Sequence, residues 1–106
     1  MLVARCEGFL TGERDLAKTI ARLTAFAEAG ADCLYAPGLK DIGAIAEVVR
    51  SVDRPVNANL TATGLSVADM AAVGVRRVSI GAALAKASYA HVDGLVALLR
   101  DEGRLP

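Results

Sequence analysis

Val56-Asn57-Ala58-Asn59-Leu60-Thr61 alternates one apolar side chain with one polar side chain over six residues. A β-strand sends successive side chains to opposite faces, so Val56, Ala58 and Leu60 share one face and Asn57, Asn59 and Thr61 share the other. In an open doubly wound sheet helices cover both faces, and its strands read as apolar throughout. A strand that is apolar outward and polar inward fits a barrel wall instead. In such a barrel helices pack outside, and a polar mouth forms where the strands end.

The rest of the chain extends this pattern in both directions. Downstream, Arg76 to Ile80 is a second two-faced strand, with Val78 and Ile80 opposed to Arg77 and Ser79. Upstream, Val3-Ala4-Arg5-Cys6-Glu7-Gly8 places Arg5 and Glu7 on one face and Ala4 and Cys6 on the other, while Asp32 to Ala36 is a short apolar strand closed by Pro37-Gly38.

Each strand is followed by a helical pattern. Leu16, Ile20, Leu23 and Ala27 recur at helical spacing from about Glu13 to Ala29, before Gly30. Ile42, Ile45, Val48 and Val49 do the same from about Asp41 to Ser51. Ser66-Val67-Ala68-Asp69 reads as a capping box, with Leu65 and Met70 spaced as a hydrophobic staple, and Gly74 stops that helix. The last helix runs from about Ala82 to Asp101, with Leu84, Val92, Leu95 and Leu99 as its packing stripe.

Four strand–helix units with short turns imply an α/β chain with a parallel sheet. A full (β/α)8 barrel of the TIM type takes eight strands and about 250 residues. The 106 residues here supply four βα units, half of one, and are read as a single partial domain.

Lys+Arg and Asp+Glu are both 12, so no net charge recruits nucleic acid or an anionic membrane. No run approaches the roughly 20 apolar residues of a membrane span, and no basic segment precedes an apolar one at the start. Cys6 and Cys33 lie inside apolar runs, without metal-knuckle or redox-pair spacing. These features point to a cytoplasmic chain with reduced, packed thiols.

Arg5 and Glu7, two opposite charges at a strand end, are candidate site residues. A guanidinium is always charged and can hold an oxyanion bidentately. The alternative is a structural ion pair closing one end of a barrel. Asn57 and Asn59 are candidate substrate ligands or polar groups that satisfy one another, with Thr61 as a secondary candidate. Gly81, at a strand-to-helix turn, could offer backbone N–H groups to an anion, or simply permit the turn. Tyr35, His91, Cys6 and the Arg76-Arg77 pair read as packing or surface residues.

Taken together, Val3-Ala4-Arg5-Cys6-Glu7-Gly8, Ala29-Gly30-Ala31-Asp32-Cys33-Leu34-Tyr35-Ala36-Pro37-Gly38, Pro55-Val56-Asn57-Ala58-Asn59-Leu60 and Gly74-Val75-Arg76-Arg77-Val78-Ser79-Ile80-Gly81 resemble the C-terminal half of the isocitrate lyase/phosphoenolpyruvate mutase superfamily. The likeness runs over essentially the whole chain, in order, and is greatest to the short-chain, carboxyvinyl-carboxyphosphonate phosphorylmutase-like members.

The resemblance implies a Mg2+-dependent lyase or phosphonomutase, acting beside a 2-oxo acid through an enolate of pyruvate. It also implies that the magnesium ligands and the gating-loop lysine or cysteine belong to the other half of the barrel, leaving no catalytic residue and no metal ligand here. Arg5 matches the strand arginine that binds substrate carboxylate or phosphonate oxygens, and Glu7 an acidic position beside it. Asn59 matches an asparagine of the methylisocitrate lyases, and Asn57 the one more usual in short-chain members. Pro37 stands where methylisocitrate lyases carry a glutamate, a departure from their substrate pattern.

The implied partner is a small carboxylate or phosphonate substrate. A homo-oligomer is implied too, formed through the final helix Ala82 to Asp101 or through open strand edges. A non-catalytic half-barrel that acts by self-association is the alternative function.

Overall fold

A computed structural model describes residues 1–61 and 64–106. Nine elements follow in order: β1 (Val3–Arg5), α1 (Gly8–Thr11), α2 (Leu16–Glu28), β2 (Cys33–Tyr35), α3 (Ile42–Ser51), β3 (Val56–Asn59), α4 (Val67–Ala72), β4 (Arg77–Ser79) and α5 (Ala83–Glu102). The strands form one parallel sheet in the sequential order β1-β2-β3-β4. This is the half-barrel that the alternating strands require.

The outward face of the sheet is apolar and covered. Cys6, Leu34, Ala36, Val56 and Ala58 are buried against Leu23 and Ala27 of α2, Ile45 and Val48 of α3, and Met70 of α4. The helices carry local stop and start signals. Asp15 and Asp41, both in extended conformation, accept the Lys18 and Ala44 backbone N–H groups at 3.0 and 2.7 Å and so start α2 and α3. Because Asp15 is the cap, α2 begins at Leu16 and not near Glu13. Ser66 and Asp69 close the capping box at α4 reciprocally.

Three expectations change. The strands are shorter than their sequence patterns: β1 stops at Arg5, and Glu7 starts the four-residue helix α1, which no periodicity announces. Thr61 likewise lies beyond β3, which ends at Asn59. The α5 stripe is not packed: no residue of α5 is buried, and Leu84, Val92, Val96 and Leu99 are each at least half exposed. Among the described residues, nothing covers that helix enough to bury one of its side chains.

The surface reflects an open architecture. A compact monomer of 10.9 kDa exposes about 5,600 Å², whereas this chain exposes 6676 Å². Its Cα radius of gyration is 18.1 Å, against about 13 Å for a compact domain of this length. The excess is the uncovered inner face, the edges of β1 and β4, and α5.

Candidate functional site

The inner face of the sheet is organised by register. Arg5 pairs with Tyr35, Tyr35 with Asn57, and Asn57 with Arg77, so one row of side chains crosses all four strands. Tyr35, expected from the sequence to pack, stands in this row and lines the cavity at the strand ends. The Arg5 guanidinium carbon lies 5.3 Å from the centroid of the Tyr35 ring, a cation–π contact that orients the arginine over the sheet.

Glu7 reaches Arg5 despite standing outside the strand. Its Oε1 accepts from Arg5 Nε at 2.7 Å. No other hydrogen bond of the Arg5 side chain is made among the described residues, so the two Nη groups keep their donors. That is the edge of the guanidinium that takes an oxyanion bidentately.

Asn57 lies beneath this surface. It is 2% exposed, accepts from Arg77 Nη1 at 2.9 Å and donates to Ser79 Oγ at 3.0 Å. One buried amide thus joins the two polar residues of β4 to β3. Asn59 and Thr61 form the rim above. Asn59 Oδ1 accepts from the Thr61 backbone N–H at 2.8 Å and from its hydroxyl at 2.5 Å, which fixes the amide and leaves its Nδ2 facing the turn after β4. A Cβ at Gly81, whose φ is +53°, would sit 3.6 Å from that Nδ2. Gly81 is needed there for its backbone conformation.

These groups bound a cavity of about 560 Å³ at the carboxyl ends of the strands. Arg5, Asn59, Thr61 and Gly81 line it, whereas Glu7 acts from behind Arg5 and Asn57 from under the floor. The cavity wall also includes Leu10 of α1, Lys40 from the loop after β2, and Arg77 and Ser79. Among the described residues, three cationic side chains and no carboxylate line it, an arrangement that attracts small anions.

Several of these residues escaped the sequence reading. Lys40 carries no periodic or motif signal, and Arg77 looked like half of an isolated basic pair. The alternation that sets Arg77 and Ser79 opposite Val78 puts both on the polar inner face, and was the signal that could have named them as site candidates.

No group of three or more His, Cys, Asp or Glu side chains able to hold a metal ion occurs among the described residues. The donor set among the described residues does not by itself fit a magnesium centre. No helix among the described residues is long and apolar enough to cross a membrane.

A cationic, strand-end cavity on half a parallel barrel narrows the choice of relatives. The family model described as phosphoenolpyruvate phosphomutase matches residues 1–99. The chain belongs to the phosphoenolpyruvate phosphomutase family. A Burkholderia cenocepacia J2315 protein described as a lyase/mutase is 48% identical with a TM-score of 0.91, over 98% of this chain and 38% of that one. An uncharacterized Mycobacterium tuberculosis protein is 38% identical over 73 residues, 69% of this chain and 28% of its own. A 2,3-dimethylmalate lyase of the phosphoenolpyruvate mutase/isocitrate lyase superfamily shares the fold, with a TM-score of 0.85 at 21% identity, over 97% of this chain and 37% of its own. This phosphoenolpyruvate phosphomutase family member thus spans between about a quarter and two fifths of the length of these relatives.

Proposed function

We propose that this chain is the substrate-holding half of a lyase- or phosphonomutase-type enzyme, acting on small carboxylates or phosphonates related to 2-oxo acids through an enolpyruvate intermediate. The observation that carries the reading is Arg5. It stands at the carboxyl end of β1, held by Glu7 through Nε and by the Tyr35 ring, in the wall of a cavity lined by further cations, and its Nη donors make no hydrogen bond among the described residues.

In this reading Arg5 binds one carboxylate or phosphonate of the substrate, and Glu7 keeps the guanidinium aimed. The Asn59 amide, fixed through its oxygen by Thr61, offers Nδ2 to a substrate oxygen beside Gly81. Charge developing on an enolate oxygen is stabilised by such pre-set donors. Magnesium, where the complete enzyme uses it, is supplied by residues outside this chain and contributes Lewis-acid chemistry. The chain acts in the cytoplasm, is inactive alone, and assembles into a homo-oligomer through α5, whose apolar side chains face solvent.

Calorimetry with magnesium and oxalate, an enolpyruvate mimic, tests the reading. The chain alone is expected to give no binding. Mixed with the part of the Burkholderia lyase/mutase that it does not cover, it is expected to bind oxalate, and Arg5→Ala to abolish that binding. Tight binding by the chain alone, or by the Arg5→Ala mixture, sinks the proposal.

A non-catalytic half-barrel working by self-association is the second reading, favoured by the exposed α5 and the two open strand edges. It requires a stable oligomer of the isolated chain that leaves no room for the rest of a barrel.

A further inference from the structure

The two open edges of the sheet differ in charge. At β1 the inward-facing arginine brings its own carboxylate, Glu7, at 2.7 Å. At β4 the inward-facing arginine has none: Arg77 makes one hydrogen bond, from Nη1 to Asn57 Oδ1, and no carboxylate lies on it among the described residues. Its partner Asn57 is a neutral amide already committed to Ser79.

Among the described residues the β4 edge lacks a neighbour, since β4 is the last strand in the sheet order and pairs only with β3. The chain also spans only 38% of a relative that shares its fold at a TM-score of 0.91, so most of that relative lies outside it. When a strand docks beside β4, Arg77 passes from an open rim into the barrel interior. A guanidinium does not lose its charge on burial, and a buried charge with only a neutral acceptor is strongly disfavoured.

We infer that the free edge of β4 receives a parallel strand bearing an inward-facing Asp or Glu that pairs with Arg77. The docking strand is recognised by its carboxylate as well as by its backbone. The β1 edge makes no such demand, because Glu7 already neutralises Arg5. This asymmetry gives the two edges different partners and disfavours a reversed assembly, in the way charge pairing fixes register at other interfaces. The inference rests on the barrel architecture and is independent of which substrate binds at Arg5.

The test titrates the full chain, without ligand, with the part of the Burkholderia lyase/mutase that it does not cover, expressed as a separate polypeptide. Wild type is expected to form a saturable one-to-one complex. Arg77→Gln keeps a donor for Asn57 but removes the charge, and is expected to weaken the complex by about thirtyfold or more. Arg77→Glu is expected to weaken it further, and changing one inward-facing acid of the docking strand to Lys is expected to restore it. Circular dichroism of each variant alone separates loss of fold from loss of docking. No complex with wild type, an unchanged affinity for Arg77→Gln, or a failure of every acid-to-lysine change to rescue Arg77→Glu overturns the inference. An Arg77→Gln variant that docks normally but loses oxalate in the assembled barrel assigns the residue to substrate instead.

Discussion

Arg5 Nε lies 2.7 Å from Glu7 Oε1, although Arg5 ends β1 and Glu7 begins α1. The pair joins a strand to the turn that follows it, and both side chains are about half exposed. An exposed ion pair contributes about 0–1 kcal/mol to stability. Glu7→Gln is therefore expected to leave the urea midpoint of the chain nearly unchanged while lowering oxalate affinity in the assembled barrel. A large loss of stability would assign the pair a structural role.

Asn57 is the opposite case. It is buried and bonds to both Arg77 and Ser79. Asn57→Leu removes the partner of each, and a lost buried polar partner costs about 1–3 kcal/mol. Urea denaturation followed by circular dichroism is expected to register a loss in that range. Asn57→Asp, which keeps an acceptor opposite Arg77, is expected to lose less.

These two residues show what the sequence can and cannot express. Alternation over Val56–Thr61 correctly separated the inner from the outer face, because a period of two survives any packing. It could not tell Asn57 under the floor from Asn59 on the rim, since depth in a barrel depends on the neighbouring strands. Arg77 meets Asn57 across 20 residues of chain, only because β3 pairs with β4. The capping box at Ser66 and Asp69 was legible because all its atoms lie within four residues. The helix α1 was not, because four residues hold barely one turn and Glu7 caps it without a side-chain bond.

Gly38 carries a close approach in the wall of the cavity. Its φ is +87°, and a Cβ there would lie 3.0 Å from the Phe9 carbonyl carbon and 3.1 Å from the Leu10 nitrogen of α1. Backbone atoms cannot turn aside as a side chain can. Gly38→Ala is expected to cost about 1–3 kcal/mol and to displace α1 from the cavity rim. Amide chemical shifts of Phe9 to Thr11 report that displacement.

The Asp69 carboxyl is held below its ordinary range, first by the Ser66 backbone N–H and then by the Ser66 hydroxyl. A depressed folded-state pKa adds stability that is present above the unfolded value and lost as pH falls through the folded one. The capping box at α4 is thus expected to open only in acid, below the usual carboxylate range. Ser66→Ala, which removes a helix N-cap, is expected to cost about 1 kcal/mol and to move the Asp69 titration, followed by carboxyl NMR, upward. An unmoved titration contradicts the capping box.

The exposed side chains of α5 make a prediction about association. With Leu84, Val92, Val96 and Leu99 uncovered, Val92→Glu with Leu99→Glu is expected to reduce the light-scattering mass to that of a monomer. Because each side chain is at least half exposed, the unfolding free energy of the monomer is expected to change by less than about 0.5 kcal/mol. A wild-type chain that is already monomeric would remove α5 as an assembly element.

Arg5 is expected to anchor an oxyanion once the barrel is complete. A crystal structure of this chain assembled with the uncovered part of the Burkholderia lyase/mutase, grown with oxalate, tests it most directly. An oxalate carboxylate bonded to the Nη groups of Arg5, with Glu7 still on Nε, is the expected result. Oxalate bound elsewhere in the cavity, with the Arg5 Nη groups making no contact to it, would rule out Arg5 as the oxyanion anchor.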